Sequence, residues 1–463
     1  MFDNNVKNIY MVGIKGTGMS SLAVLLKKLG YQVSGSDTNE HFFTEIQLKN
    51  NEITYYDGFD PAHLEHANPD LVIISTAYND RNPEVSQAKL MRLSMISYPE
   101  AVGEISKKLT SVAICGSHGK TTTTSMLGTI MQTNRETITL TGTVAETLNG
   151  EEVKHPKYFV FEADEYQNKF QYYSPANVIL TNIDFDHPDF FTDLAHYSAT
   201  FRDFLKRTLE TGGFVVYNYD DRITRTLMKE LEGNKISYGF DLPAQAGLPT
   251  QTGPEADYRI ANVSEDLNTY TLRHKDHNII TITLNVYGKH NILNSAASVI
   301  MSLKLGISPE NIQQALKDFK GVKRRMEVIP SEKYIILDDY GHHPTEIIAT
   351  LRALRNKYKD KQIVAVFHPH TFTRTKAFLK EFGGAFSDAD LTLVLDIYPS
   401  AREVTGTIST EAVVEEIKKN GSQVVYTPTI PDAAEYIKKN IPHGSIILTI
   451  GAGDVWKLCD LIK

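Results

Sequence analysis

The sequence has few cysteines and no excess of positive charge. Its 463 residues include 1 tryptophan and only two cysteines, Cys115 and Cys459, which exclude a disulfide framework and a zinc site built from cysteines. The formal net charge is -8, which argues against a broadly basic surface for nucleic acid. We therefore expect no nucleic-acid partner, and an anionic ligand must bind in a locally positive cleft.

Long apolar runs and a secretory leader are also missing. No uninterrupted apolar stretch approaches the roughly 20 residues that span a bilayer. The N-terminus passes from residues 1–5 directly into the strand-like residues 9–12, without a basic start and cleavage site. We expect a cytoplasmic protein with no membrane partner, either a monomer or a homodimer.

Short apolar runs that alternate with helical patterns fill most of the chain. This alternation predicts an α/β fold with parallel sheets covered by helices in every section. The length favours about three domains, which we place at residues 1–109, 110–321 and 322–463. Residues 243–257 are rich in Gly, Pro, Gln and Ala and are predicted to form a loop.

A glycine-rich turn lies between the first strand and the first helix. Residues 13–21 read GIKGTGMSS, and Asp37 ends the next strand. Gly16 and Gly18 let the backbone approach a diphosphate at the helix N-terminus, and Asp37 suits a ribose hydroxyl. The pattern favours a bound diphosphate, for which NAD is one candidate. The alternative is a tight turn without a ligand.

A second glycine loop opens the central section. Residues 116–122 read GSHGKTT directly after an apolar strand, and Ile114 stands where the usual phosphate-loop pattern has its first glycine. Gly116 and Gly119 free backbone amides for phosphate oxygens, Lys120 supplies a cation and Thr121 can bind Mg²⁺. The threonines that follow are poor helix formers, so anion recognition explains their position better. The loop predicts ATP binding.

Acidic residues and a histidine follow two central strands. Because the carboxyl ends of parallel strands meet at the ligand-binding edge of such a sheet, these side chains can hold Mg²⁺ against a triphosphate. The alternative is that some of these acids only solvate the loops, and Glu162 and His187 are the strongest candidates. The full set is Glu162, Asp164, Glu165, Asp184, Asp186 and His187.

Further motifs extend this pattern to the end of the chain. They read YGKHNILN at 287–294, GVKRR at 321–325, DDYGHHPTE at 338–346, FHPHTFTRT at 367–375, DIYPSARE at 396–403 and GAGD at 451–454. Together with the short phosphate loop they resemble the Mur ligases, the cytoplasmic ligases of peptidoglycan synthesis. The resemblance covers essentially the whole chain.

The resemblance implies a three-domain Mur ligase architecture: an N-terminal Rossmann-like domain for a UDP-sugar, a central P-loop ATPase α/β domain, and a C-terminal Rossmann-like domain for the amino acid. It implies an ATP-dependent ligase that uses Mg²⁺ and joins L-alanine to the lactyl carboxylate of UDP-N-acetylmuramate. The reaction would pass through an acyl phosphate and release ADP and phosphate. Its substrates are therefore UDP-N-acetylmuramate, L-alanine and ATP.

The resemblance also implies roles for individual residues. The implied catalytic residues are Lys120, Glu162, His187 and Arg325, and the implied Mg²⁺ ligands are Thr121, Glu162 and His187. The implied ATP contacts are Gly116, Ser117, His118, Gly119, Lys120, Thr121, Thr122, His290, Asn291, Asn294, Arg324 and Asp339. Those for the UDP-sugar are Gly16, Thr17, Gly18, Met19, Ser20, Ser36, Asp37 and Ser75. The amino-acid site is implied to contain His342, His370 and Arg374. Which of Arg324 and Arg325 contacts phosphate is left open.

Two residues near the central acids depart from the commonest alanine-adding pattern. Tyr166 stands where serine is usual and Phe185 where alanine or proline is usual, as in ligases that recycle murein tripeptide. HTFTRT at 370–375 is typical of alanine-adding enzymes, so L-alanine is the first hypothesis and the tripeptide the second. Alternatives of another class are an NAD-dependent dehydrogenase, which leaves Lys120 unexplained, and a non-catalytic nucleotide switch.

Overall fold

The computed structural model describes residues 2, 5–134, 136–142, 153, 155–241, 256–399, 406 and 408–463. Almost all of the predicted loop at 243–257 and residues 400–403 of the DIYPSARE motif lie outside these ranges. Three sheets of 5, 9 and 6 strands follow one another along the chain. Each falls within one of the three predicted sections, whose limits at 109/110 and 321/322 stay a prediction.

The first sheet is parallel throughout, as the sequence pattern predicts. Its strand order is β3-β2-β1-β4-β5. The strands are β1 (Asn8–Val12), β2 (Gln32–Asp37), β3 (Thr54–Asp57), β4 (Leu71–Ile74) and β5 (Ser94–Ser97), and the helices are α1 (Thr17–Lys28), α2 (Glu45–Asn50), α3 (Ala62–Ala67), α4 (Pro83–Leu90) and α5 (Tyr98–Lys108). The order reverses at β1, so its carboxyl end opens into a crevice.

The second sheet has the order β14-β13-β12-β11-β10-β9-β6-β8-β7. Its strands are β6 (Thr110–Cys115), β7 (Thr137–Leu140), β8 (Tyr158–Glu162), β9 (Asn177–Leu180), β10 (Phe214–Asn218), β11 (Asn234–Phe240), β12 (Tyr258–Ala261), β13 (Thr269–His274) and β14 (His277–Thr283). The helices are α6 (Lys120–Met131), α7 (Leu194–Glu210), α8 (Arg222–Lys229), α9 (Lys289–Lys304) and α10 (Pro309–Asp318), with 3-10 turns at Gln132–Asn134 and Tyr166–Tyr172.

The third sheet has the order β15-β16-β20-β17-β18-β19. Its strands are β15 (Glu327–Ile329), β16 (Ile335–Asp339), β17 (Ile363–Phe367), β18 (Leu391–Val394), β19 (Val424–Tyr426) and β20 (Ile446–Ile450). The helices are α11 (Pro344–Lys357), α12 (Phe372–Ala377), α13 (Leu379–Gly384), α14 (Thr410–Lys419), α15 (Ile430–Asn440) and α16 (Leu458–Ile462), with a 3-10 turn at Val455–Lys457.

The prediction of parallel sheets in every section was wrong at two sheet edges. Strands β12, β13 and β14 pair antiparallel, and so do β15 and β16. The turn between β13 and β14 contains only Lys275 and Asp276, which is too short for the crossover that parallel strands need.

The hydrophobic cores connect the three sheets. One core contains Ile9 and Leu22 of the first section together with Phe201 of the second. Phe185 packs against this core and against the C-terminal core, where its ring centroid lies 6.2 Å from that of Phe378. Because buried apolar area stabilises by about 25 cal/mol per Å², these shared contacts hold the three sheets around a common cleft. None of the helices in the described ranges has the length and apolar character that a membrane span requires.

Candidate active site

Two adjoining cavities lie where the three domains meet. The first, of about 560 Å³, lies between the loop at 116–122, α9 and α11, and we call it the nucleotide cavity. The second, of about 820 Å³, extends from the same loop to the N-terminal glycine turn and to the C-terminal histidines, and we call it the reaction cleft. His118, Gly119 and Thr121 line both cavities, so ligands in the two cavities would meet at this loop.

The conformation of the loop depends on two glycines. Gly116 has φ +128° and Gly119 has φ +81°, a region that other residues enter only with strain. A Cβ atom on Gly116 would lie 2.1 Å from Thr181 Oγ1, and one on Gly119 would lie 2.6 Å from Asn294 Oδ1. Helix α6 begins at Lys120, so its first amides face the cavities without helical partners and suit an anion.

Lys120 lies across the loop and lines the reaction cleft. Its Nζ donates to Gly116 O at 2.6 Å, to Ser117 O at 3.1 Å and to the Glu165 carboxylate at 3.3 Å. Burial alone would lower the pKa of Lys120, but the nearby carboxylates, Glu165 foremost, raise it. The lysine is therefore a fixed cation between the loop and the acids.

Two residues of the loop, Ser117 and His118, are hydrogen-bonded to the segment that follows β9. The Ser117 amide donates to Asn182 O at 3.0 Å, and the His118 amide donates to Asn182 Oδ1 at 3.0 Å. Ser117 Oγ donates to Asp184 O at 2.6 Å, and His118 Nε2 hydrogen-bonds Asp184 Oδ2 at 3.0 Å. Among the predicted ATP contacts in the loop, the geometry favours residues 119–122 over Ser117 and His118.

The acids after β8 and β9 give a donor set that fits Mg²⁺. Thr121 Oγ1 donates to Glu162 Oε2 at 2.9 Å, and the ligand atoms of Asp164, Glu165 and His187 lie within 4.8 Å of one another. Carboxylate and hydroxyl oxygens are the ligands that Mg²⁺ prefers, with water and phosphate completing the octahedron. Thr121 thus lies next to Glu162, while His187 clusters with Asp164 and Glu165, which join the candidates.

His187 has an uncommon backbone conformation. Its φ is +54°, and its ring stacks on Tyr166 with centroids 4.6 Å apart. The Tyr166 hydroxyl donates to Asp189 at 2.7 Å. A non-glycine residue held in this region costs about 1–3 kcal/mol and is concentrated at functional sites. The unusual Tyr166 therefore packs against the histidine that the sequence predicts to serve the metal.

The predicted residues of α9 line the nucleotide cavity. His290, Asn291 and Asn294 come from its first turns, and Asp339 at the end of β16 faces them. Burial lowers the pKa of His290 to about 4, which keeps the imidazole neutral. Burial also raises the pKa of Asp339 to about 6, against the opposing effect of Arg325. The neutral His290 and the Arg325 cation of this cavity suit a nucleotide.

The two adjacent arginines lie in different environments. Arg324 is 6% exposed, and its guanidinium donates to Asp338 Oδ2 at 2.9 Å and to Gly451 O at 2.8 Å. Arg325 lines both cavities. The structure therefore favours Arg325 as the phosphate contact. Arg324 lines the reaction cleft but not the nucleotide cavity, so its contact with ATP stays a prediction.

The three residues predicted for the amino-acid site meet in the reaction cleft. The rings of His342 and His370 have centroids 6.0 Å apart, and His370 Nδ1 lies 3.4 Å from Arg374 NH1. However, Nε and NH2 of Arg374 both lie 2.9 Å from Asp186 Oδ1 in a buried ion pair. A substrate carboxylate could therefore bind Arg374 only through its NH1 side or by displacing Asp186.

The N-terminal turn contributes only part of its predicted residues. Ser36 Oγ donates to buried Glu84, and the carboxylate of Asp37, which is 4% exposed, accepts from the Lys15 amide at 2.7 Å and the Tyr78 hydroxyl at 2.9 Å. The ribose contact of Asp37 stays a prediction, and both of its carboxylate oxygens already accept hydrogen bonds inside the domain. Gly16, Thr17, Gly18, Met19 and Ser75 line the reaction cleft, whereas Ser20, Ser36 and Asp37 do not.

Tyr98 and Glu346 are among the residues of the reaction cleft that sequence reasoning missed. Tyr98 lines it, and a Cβ atom on Gly18 would lie 2.8 Å from the Tyr98 ring. Glu346 lines both cavities. Its position three residues after the N-cap His343 is that of a capping box, a signal that indicates a helix start and gives no hint of a site. No sequence signal identifies Tyr98.

The fold and the cleft define an ATP-utilising enzyme in which three domains share one reaction site. The chain belongs to the Mur ligase family. The model of the Mur ligase family catalytic domain matches residues 8–110, that of the Mur ligase middle domain matches 114–302, and that of the Mur ligase glutamate ligase domain matches 324–453. Membership in a ligase family leaves the dehydrogenase and nucleotide-switch alternatives without support.

Relatives align with the whole chain. A UDP-N-acetylmuramate–L-alanine ligase of Acetivibrio thermocellus is 36% identical over 99% of this chain and 96% of that protein, and one of Lactobacillus helveticus is 37% identical over 100% and 99%. Among solved structures, a UDP-N-acetylmuramate-alanine ligase from Thermotoga maritima is 25% identical with a TM-score of 0.79, covering 99% of this chain and 98% of that one. A murein peptide ligase from Psychrobacter arcticus is 25% identical with a TM-score of 0.71, covering 98% and 97%.

Proposed function

We propose that this chain joins L-alanine to the lactyl carboxylate of UDP-N-acetylmuramate with ATP, giving ADP and phosphate, as a cytoplasmic step of peptidoglycan precursor synthesis. The observation that carries the proposal is one continuous cleft. It runs from the N-terminal glycine turn past Lys120 to His342 and Arg374, in a chain related over its full length to L-alanine ligases. The oligomeric state that fits this proposal is a monomer or a homodimer.

The N-terminal turn holds the nucleotide sugar. Gly16 and Gly18 lie at the start of α1, where backbone amides without helical partners attract a diphosphate. Tyr98 lies directly against Gly18. With the diphosphate here, the muramyl carboxylate extends along the reaction cleft toward Lys120. The turn therefore sets the distance between the acceptor carboxylate and the phosphate loop.

The central residues activate the carboxylate. A carboxylate is a poor acyl donor because its leaving group is oxide, so its oxygen first attacks the γ-phosphate of ATP and ADP leaves. Both reactants are anions, and their repulsion falls only if fixed cations neutralise the developing charge. Lys120 and Arg325 supply such cations on the two sides of the loop. Mg²⁺, bound at Thr121, Glu162 and His187, would neutralise further phosphate charge and align the triphosphate.

The C-terminal residues orient the amino acid. The neutral amine of L-alanine attacks the acyl phosphate and displaces phosphate, which forms the amide. Burial lowers the pKa of His342 to about 3, so this imidazole is uncharged and does not repel the amine. Arg374 provides the positive charge that can attract the L-alanine carboxylate. Closure of the three domains excludes the water that would hydrolyse the acyl phosphate.

The test is a substrate survey with purified protein, Mg²⁺-ATP and UDP-N-acetylmuramate, in which phosphate release is measured with each amino acid in turn. We expect release that requires both the nucleotide sugar and L-alanine. The tripeptide L-alanyl-γ-D-glutamyl-meso-diaminopimelate is the control for the recycling hypothesis. Faster release with the tripeptide would show that the tripeptide is the substrate and not L-alanine. Release that depends on neither the nucleotide sugar nor the amino acid would overturn the ligase proposal.

A further inference from the structure

Glu346 lies where the phosphate loop, the arginine of the cleft and the amino-acid site meet. It is in the first turn of α11 and lines both the nucleotide cavity and the reaction cleft. Its side chain is 12% exposed. Its two carboxylate oxygens face different partners.

One oxygen binds within the C-terminal domain. Oε2 accepts the His342 amide at 3.0 Å and the His343 amide at 3.3 Å, which closes the capping box of α11. His342 belongs to the predicted amino-acid site and lies 3.7 Å from the same oxygen through its Nδ1. This oxygen therefore fixes the backbone that carries His342.

The other oxygen binds two cationic groups outside the helix. Oε1 lies 3.4 Å from His118 Nδ1 in the phosphate loop and 3.5 Å from Arg325 NH1. Burial alone would raise the pKa of Glu346, but His118, His342 and Arg325 lower it well below the usual value. The carboxylate is thus an anion held between two cations of the ATP-binding region.

His118 is also tied to the start of α11 by a second route. Its Nε2 bonds Asp184 Oδ2 at 3.0 Å, and the same oxygen accepts from Thr345 Oγ1 at 2.6 Å. Burial alone would lower the pKa of His118, but the bonds to Asp184 and Glu346 raise it to about 9. A shift of the loop that moves His118 therefore acts on both Thr345 and Glu346.

We propose that Glu346 is a positioning residue that couples the ATP-filled phosphate loop to the amino-acid site, by holding His118 and Arg325 with one oxygen and the His342 backbone with the other. The inference deepens the proposed ligase function and rests on it. A role in helix capping alone would need only Oε2, which accepts the two backbone amides. The charge that Oε1 presents to His118 and Arg325 distinguishes the two roles.

The decisive variant is Glu346→Gln. Glutamine keeps one oxygen for the two backbone amides of α11 but has no charge for His118 and Arg325. Glu100 is the matched control, because it closes the capping box of α5 with its Oε2 2.7 Å from the Ser97 amide and lines neither cavity. Glu100→Gln should keep normal turnover. We expect Glu346→Gln to lower kcat at least about tenfold while the KM for ATP changes less than about threefold.

Hydrogen exchange gives a readout that does not need ligase activity. In the unmodified protein, a non-hydrolysable ATP analogue with Mg²⁺ should slow amide exchange both in residues 116–122 and in residues 342–346. In Glu346→Gln the protection should remain in the first segment and disappear from the second. Equal protection of both segments in Glu346→Gln would overturn the coupling. A normal kcat in Glu346→Gln, or an equal loss of kcat in Glu100→Gln, would overturn it as well.

The two proposals fail in different ways. If phosphate release by the unmodified protein ignores UDP-N-acetylmuramate and L-alanine, the proposed function is wrong, while the exchange experiment still decides whether Glu346 couples the segments. Combining Glu346→Gln with His118→Asn adds a further check. If Glu346 acts through His118, the double variant should lose little more kcat than the slower single variant, and losses that multiply would contradict the pathway.

Discussion

Two turns in this molecule join a strand to a helix through glycine and lysine, yet they place the lysine in opposite environments. In the N-terminal turn Lys15 is 1% exposed, and its Nζ lies 2.5 Å from Asp57 and 3.4 Å from Glu45 inside the domain. In the central loop Lys120 lines the reaction cleft and faces Glu165. One lysine supports the fold and the other faces the ligand.

The difference teaches that the acids, and not the lysine, decide what a glycine turn can do. Lys15 Nζ also donates to Thr38 O at 2.9 Å and Glu40 O at 3.1 Å, so it fixes the segment that follows β2. The N-terminal turn then offers only backbone amides, which suit a diphosphate that does not react. The central loop adds a cation, Lys120, where charge develops during phosphoryl transfer.

The largest expected effect is the loss of turnover when Lys120 of the central loop is replaced. Lys120→Ala should lower kcat by about a hundredfold or more, as loss of a single charge-stabilising group does at other sites. Phosphate release under saturating substrates is the measurement. Near-normal turnover would remove the central loop from the mechanism and with it the contrast between the two turns.

Glycine variants should separate the two turns by substrate. Gly119→Ala places a Cβ atom 2.6 Å from Asn294 Oδ1 at φ +81°, whereas Gly18→Ala places one 2.8 Å from the Tyr98 ring. We expect the first to raise the KM for ATP and the second the KM for UDP-N-acetylmuramate, each about tenfold for a loss of about 1.4 kcal/mol of binding. Gly384→Ala, with open space around its Cβ, is the control. Equal changes in both KM values for either variant would contradict separate sites.

Lys15→Met should affect stability more than catalysis. The substitution removes a buried cation from Glu45, Asp57 and two backbone carbonyls, which should cost about 1–3 kcal/mol of unfolding free energy although Glu45 keeps Lys49 as a partner. Urea unfolding measures this loss, and kcat should stay within about threefold of normal. A fall in kcat comparable with that of Lys120→Ala, at unchanged stability, would mean that both lysines serve the reaction.

The smallest expected effect is a pH dependence of stability that comes from His118 of the central loop. The pKa of His118 is raised to about 9 in the folded protein, above about 6.5 in the unfolded chain. The folded state therefore holds a proton that the unfolded state releases, so this stabilisation is complete below about pH 6.5 and is lost as the pH rises through about 9.

Thermal melting between these pH values measures the contribution of His118. A loss of about 1 kcal/mol corresponds to roughly 2–4 °C in a domain of this size. His118→Asn should melt lower at pH 6.5 and should show less of the decline toward pH 9 than the unmodified protein. Parallel melting curves for the two proteins across this range would show that His118 carries no such proton.

Local sequence patterns were sufficient for the order of the elements and for the two turns. The apolar strand expected directly before residues 116–122 is β6 at Thr110–Cys115, and the strand-like residues 9–12 lie within β1 at Asn8–Val12. Glycine at positive φ, alternation of apolar runs, and the capping signal before α11 all act within a few residues. For the same reason the phosphate loop and the acids that follow β8 and β9 were identified before any contact was known.

Only the tertiary structure decided which side chains are free to act. Arg374 meets Asp186 across 188 residues of sequence, Arg324 meets Gly451 across 127, and Lys15 meets Asp57 across 42. A charged side chain is an available ligand or a buried tie according to the partners that packing brings to it, because burial without a partner is costly. Those partners lie on other strands and other sheets, so the difference between Lys15 and Lys120 is set by the assembly of the sheets and not by the turn in which each lysine occurs.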